Sequence, residues 1–371
     1  MKIRIRWWYF LPVLVPVGYL IDRYLTYHPA VAERYFARGI YPVVSGVVRR
    51  LTGWIPFSLM ELGIAAIVIG VAAGLVLLVV SLVKGIRTKQ IPGKAIGRVL
   101  YIIVCTASVF YFVFVVFCGA NYHRNTFAES TGLVVRDSSA NELFEVVVSL
   151  ADEARALRAE LAESEEGVVK SPFASYGAMA DAVREAYTAC GKDYEVLSQW
   201  VPRPKRVLFS EIMSMTETTG IYCVYTAEAN INRHILDFRK PAVMAHELAH
   251  LQGFMREDEA NFIAYLVTQY SNDPFVRYSG VMFALSYAGN QLYAADYDLW
   301  VESRSHYSAQ MNADNAASAA FWEPYRDTKI AEKADQANTT YLKAQGQSDG
   351  TKSYGRMVDL LLAFYRSTEV E

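Results

Sequence analysis

The sequence predicts a mainly α-helical protein: a three-helix transmembrane anchor, then a mostly helical water-facing domain with a small β-sheet. Three observations carry that expectation. The 371 residues are 53% hydrophobic and only 20% charged, with the apolar excess ahead of Cys118 and most of the charge after Arg124. Three segments within the apolar part are long enough to cross a bilayer. Beyond Arg124 the apolar residues recur at the three- and four-residue intervals of helices, and few stretches alternate as strands do. A chain of this length also exceeds what one core usually holds.

A helix crosses hydrocarbon in about 20 mostly apolar residues. The segments read this way are roughly 7–21, the shortest, then 57–83 and 96–118. The first follows Lys2, Arg4 and Arg6 as a signal peptide would. However, Asp22-Arg23-Tyr24-Leu25 stands where a small-x-small cleavage site belongs, so it reads as a retained span kinked at Pro12 and Pro16. Lysine and arginine density beside the spans sets the orientation. The amino-terminal tail and the tight 84–95 connector, with Lys84, Arg87, Lys89 and Lys94, are expected in the cytoplasm, which puts the domain after the spans on the extracytoplasmic side. The 22–56 segment spreads five arginines among tyrosines and prolines; it reads either as short amphipathic helices along the outer interface or as an ordinary connector. Residues 1–123 are thus the expected anchor and 124–371 the expected domain.

Within the domain, Leu143, Val146, Val147, Leu150, Ala154, Leu157 and Leu161 predict an amphipathic helix over 141–163, capped by Ser138 or Ser139. Further helices are expected at 172–189, 258–270, 275–293, 331–342 and 353–365. Strand signals occur at 206–209 and 220–225. No internal repeat appears. The net charge of −2 and the lack of a basic stretch interleaved with aromatics exclude nucleic acid as a partner. Four cysteines, none in a CxxC pair, exclude a disulfide scaffold or thiolate metal site; Cys190 and Cys223 are the only pair a bridge in the exported half would use. The run Gly346-Gln347-Ser348-Asp349-Gly350-Thr351-Lys352-Ser353 imitates a phosphate loop. It has Thr351 where the second glycine belongs and no preceding strand, so it reads as a loop into the last helix.

The chemistry concentrates in His246-Glu247-Leu248-Ala249-His250. Two imidazoles four residues apart point from one helical face, which suits a Zn²⁺ ion, and Glu247 between them lies beside the metal, where a general base must be. Pro241 suits the first turn of such a helix and Gly253 a left-handed residue that ends it. A third ligand must come from Glu257, Asp258 or Glu259, because Arg256 occupies the position where a third histidine would otherwise follow.

Glu257-Asp258-Glu259-Ala260-Asn261 resembles the E-x-x-A-D/N segment of gluzincins, the thermolysin-like and CAAX-type membrane proteases. Carried over by position, the resemblance makes Glu257 the ligand, with Glu259 in reserve, and Asn261 the residue that braces a ligand histidine. The gap of seven residues after His250 is shorter than in most gluzincins. The longer run from His246 through Ala264, with Arg277-Tyr278-Ser279-Gly280, Tyr341-Leu342-Lys343 and Ser353-Tyr354-Gly355, is similar to a family of uncharacterised bacterial membrane proteins, a domain of unknown function. That likeness implies a membrane zincin of the bacterial inner membrane and brings no substrate with it.

The expected activity is therefore hydrolysis of a peptide or protein substrate by a zinc metalloendopeptidase anchored in the lipid bilayer, with Glu247 as general base. Tyr278 is the expected oxyanion donor, with Tyr222 and His306 as weaker choices, and the edge of the 220–225 strand is available to pair with an extended substrate. The competing reading is a membrane sensor or scaffold whose zinc site is structural or inactive, against which Glu247 counts because a structural site needs no such carboxylate. A transporter is disfavoured, since the spans hold no charged pathway.

Overall fold

The computed structural model describes residues 7–88, 93–198 and 200–368; Lys2, Arg4, Arg6 and Lys89 lie outside the described residues. Pro12 falls in a 3-10 turn, Trp7–Val13, that passes into α1 (Leu14–Tyr27). This pair packs along a later apolar helix. The 22–56 segment is largely helical, with a π-helical turn at Ala32–Ile40 leading into α2 (Tyr41–Thr52). Two helices are long and apolar enough to cross a membrane: α3 (Leu59–Thr88) and the stretch Ile96–Tyr122, which begins in α4 (Gly93–Phe114). The 7–21 segment does not form a third helix of that length.

The two apolar helices are tied to the rest of the fold by polar contacts. Glu228 accepts the backbone N–H groups of Leu59 and Met60 at the start of α3, and it pairs with buried Lys205. One turn on, Glu61 accepts the N–H groups of Leu208 and Phe209. Glu228 sits where the first turn of α3 leaves its N–H groups unbonded, which is where negative charge is best placed. Arg124, just past the second apolar stretch, pairs with Glu33, which also accepts the Asn125 N–H.

The domain is a helical array around one large core. Its helices are α5 (Ala140–Ala159), α6 (Tyr176–Asp193), α7 (Lys240–Leu251), α8 (Glu257–Gln269), α9 (Pro274–Ala295), α10 (Ala309–Trp322), α11 (Lys329–Ala344) and α12 (Met357–Thr368). Ser139 caps α5 by accepting the Glu142 N–H, and the apolar stripe from Leu143 to Leu157 is buried against α9. Burying such a stripe is what holds a helix of this kind in place. The 353–365 expectation divides: a 3-10 turn, Gly350–Arg356, precedes α12.

The sheet has three strands in the order β1-β3-β2: β1 (Lys205–Val207), β2 (Gly220–Cys223) and β3 (Glu228–Asn232). The central strand β3 runs parallel to β1 and antiparallel to β2, with Tyr222 opposite Ala229 and Val207 opposite Asn232. It lies against α7, so β2 is a free edge beside the HExxH helix. All four cysteines are free: Cys190 is buried in α6 and Cys223 ends β2, so the pairing considered for them does not form.

Candidate metal centre

Helix α7 forms as its sequence dictates. Pro241 occupies its first turn, and Gly253 adopts φ +91° just past its end. The last turn is closed by a residue from far upstream in the chain. The Tyr41 hydroxyl reaches the Leu251 carbonyl at 2.8 Å and the His250 carbonyl at 3.2 Å, and it meets the Tyr222 hydroxyl at 3.0 Å. The α2 helix, the metal helix and the edge strand are thereby tied at one point.

Helix α8 starts at Glu257, one tight turn after α7, and the two pack side by side. His246, His250 and Glu257 come together with one donor atom from each lying within 4.8 Å of the others. Glu257 Oε2 is 3.2 Å from His246 Nε2 and 3.4 Å from His250 Nε2, yet Oε2 has no hydrogen bond of normal geometry. Ligand atoms at the corners of a zinc tetrahedron stand about 3.3 Å apart, given bonds near 2.05 Å. The residues therefore fit a Zn²⁺ ion by donor type, by spacing and by the unbonded buried oxygen between two nitrogens.

The electrostatics follow from burial. Burial opposes ionisation of Glu257, but the two imidazoles hold its carboxyl well below the usual carboxylate range. Burial likewise opposes the charged form of His250, yet the Glu257 carboxylate raises it to about 9. The His250 ring is fixed from behind by Nδ1 against the Phe254 carbonyl at 2.8 Å. Such a bond to a backbone carbonyl orients a histidine for a metal through its other nitrogen. Glu247 is pushed up chiefly by burial, and the Tyr222 backbone hydrogen-bonds its carboxylate. A Cβ on Gly220 would lie 2.3 Å from Glu247 Oε1, so only glycine lets the edge strand close over this carboxylate.

These residues face a cavity of about 670 Å³. One wall is β2 and the turn before it. A second comes from the end of the apolar stretch, with Phe114, Cys118 and Tyr122, and a third from Tyr287, Tyr341 and Tyr354.

Other expected residues lie elsewhere. Glu259 is two positions from Glu257, about 200° around the helix, and faces the other way. It accepts the Phe127 N–H at 2.7 Å, and burial raises its pKa to about 7, so it is not a third ligand here. Tyr278 does not reach the cavity. It is fully buried, and its hydroxyl donates to Asp314 Oδ2 at 2.6 Å. Asn261 lines the cavity, but it hydrogen-bonds Tyr287 and the Tyr354 carbonyl rather than a ligand histidine, and His246 Nδ1 has no partner. His306 binds Asp152 away from the site, whereas Tyr222 does line it. Residue chemistry alone does not mark Tyr41 or Tyr354, although Tyr354 falls in a segment that carries the family likeness.

A family model described as "Protein of unknown function (DUF3810)" matches residues 36–362. No curated protein and no solved structure matches the chain.

Proposed function

The chain belongs to the DUF3810 family of proteins of unknown function, which assigns no activity, and we propose that it is a membrane-anchored zinc metallopeptidase. The observation that carries this reading is the Glu257 oxygen lying unbonded between the Nε2 atoms of His246 and His250. Buried polar atoms are rarely left without partners, and a shared cation gives all three the same one.

His246, His250 and Glu257 would hold the ion. Bound there, zinc lowers the pKa of a coordinated water to about 7 and polarises a substrate carbonyl. Glu247, one residue from a ligand and raised by burial, takes the proton from the attacking water and hands it to the leaving amine. The free edge of β2 binds an extended substrate by main-chain hydrogen bonds. The hydroxyls of Tyr354 and Tyr287 replace Tyr278 as donors toward the developing oxyanion, since both line the cavity.

The membrane arrangement is part of the proposal. The turn Trp7–Val13 and α1 together measure roughly 35 Å, enough for a third crossing beside α4. The charge bias of the connectors puts the domain outside the cytoplasm.

Zinc content and peptide cleavage measured in detergent for the wild type and Glu247→Ala test the reading. Retained zinc with cleavage reduced about 10²- to 10⁴-fold is expected. Zinc-loaded wild type that cleaves nothing in a broad peptide library would instead favour the sensor or scaffold.

A further inference from the structure

A second cavity, of about 560 Å³, lies on the opposite side of Tyr41 from the metal cluster, against the end of α7. Its wall is the inward face of α2. Tyr41, Ser45 and Arg49 of that helix are buried and line the cavity, while Val43, Val47 and Leu51 on the opposite face are more than half exposed. A helix that turns apolar side chains outward and polar ones into a cavity is built for a bilayer interface.

Five buried side-chain polar atoms around this cavity have no hydrogen-bond partner: Ser45 Oγ, Arg49 Nε, Arg124 Nε, Ser130 Oγ and Gln252 Nε2. They make up five of the fifteen such atoms among the described residues, and every one can donate. The Arg49 and Arg124 side chains are at least nine-tenths buried. Among the described residues the Arg49 side chain makes one hydrogen bond, a 3.5 Å contact to Ser198 Oγ, and Arg124 Nε faces the Glu33 carboxylate at 3.5 Å without a hydrogen bond. Two buried guanidiniums with spare donors match the oxygens of a phosphate group. Asp193 and Glu195 at the exposed rim favour a ligand whose far end is neutral or cationic over a polyanion.

We propose that this cavity binds a phosphate group through Arg49 and Arg124, either the headgroup of a phospholipid held behind the interfacial helix α2 or free phosphate. The site is separate from the metal cluster and does not depend on the peptidase reading.

The test uses the full chain in a phosphate-free maltoside detergent, titrated with inorganic phosphate or with a short-chain phosphatidylethanolamine. Thermal stability and retained ligand mass are recorded, together with the fluorescence of Trp200, which packs against Arg49. At least one probe is expected to give a saturable shift. Its midpoint should move about tenfold or more in Arg49→Gln, recover partly in Arg49→Lys, and stay unchanged in the exposed control Arg50→Gln. Saturation by the lipid alone identifies a headgroup site, and saturation by both identifies a site for phosphate itself. No saturable response to either probe, or an equal response in Arg49→Gln, overturns the proposal, because the cavity then holds water only. If Arg49→Gln fails to fold, Ser130→Ala, a smaller change on the same cavity, takes its place with the same readings.

Discussion

Two clusters of buried charged groups sit in the same domain, and they are completed differently. In the cluster of Arg158, Asp314 and Tyr278, the Asp314 carboxylate takes Arg158 Nε at 2.7 Å, the Tyr278 hydroxyl at 2.6 Å and the Val169 N–H at 2.7 Å. Arg158 also donates to the carbonyls of Leu161 and Gly167 and to Glu163. His246, His250 and Glu257 also come together, with one donor atom from each within 4.8 Å of the others, but Glu257 Oε2 and His246 Nδ1 have no partner. A closed network locks helices together, whereas an open one beside a cavity leaves polar atoms without partners. Arg158 and Asp314 are wholly buried while His246 and Glu257 border a cavity, and the unmet atoms belong to the second cluster alone.

That contrast can be broken by mutation. The largest effect is expected from Glu257→Gln, which keeps the shape of the side chain but removes its charge. Zinc measured by atomic absorption should drop from stoichiometric to background and cleavage should vanish, with the metal-free protein melting as the wild type does without metal. Asp314→Ala should do the reverse. Stranding Arg158 in the core should cost about 3–5 kcal/mol in denaturant unfolding, while the fraction that stays folded binds zinc normally. A folded, zinc-free Asp314→Ala protein would merge the two clusters into one functional unit.

Gly220→Ala sharpens the comparison without touching a ligand. Its Cβ would push Glu247 aside, so cleavage should fall about 10²-fold with zinc content unchanged. Tyr278→Phe should have the smallest effect. One buried hydrogen bond is lost at about 1–2 kcal/mol, and turnover per folded molecule stays constant. A catalytic defect in this variant with normal zinc would return Tyr278 to the site.

Legibility in the sequence followed the range of the interactions. The α7 helix, its Pro241 start and its Gly253 stop rest on neighbours in the chain, and the stripe of α5 repeats its own period; both were readable. The strand β3 was not, because Glu-Ala-Asn-Ile-Asn is short and buried on both faces, which removes the alternation that marks a strand. The α10 helix is equally hard to read: Ala and Asn dominate it and give its faces little contrast. Choosing between Glu257 and Glu259 needed only the pitch of a helix once α8 was placed. Asn261 shows the limit of position alone. It falls on the expected face but turns to Tyr287 and the Tyr354 carbonyl, partners supplied by later helices. Tyr41 was beyond reach, because its contacts cross about two hundred residues. The first apolar segment looked like the others, but Pro12 makes its start a 3-10 turn, which shortens the α-helix that follows.

The edge strand ends against a helix that is apolar enough to lie in lipid. Just beyond β2, the Tyr225 hydroxyl donates to the Phe110 carbonyl, and its ring lies 4.8 Å from that of Phe110. The four residues of β2 cover roughly 10 Å from Gly220, which abuts Glu247, to Cys223. The strand is thus a short gauge fastened at one end to the membrane-length helix and at the other to the metal cluster. An extended chain laid along β2 from Phe110 would reach Glu247 within a handful of residues.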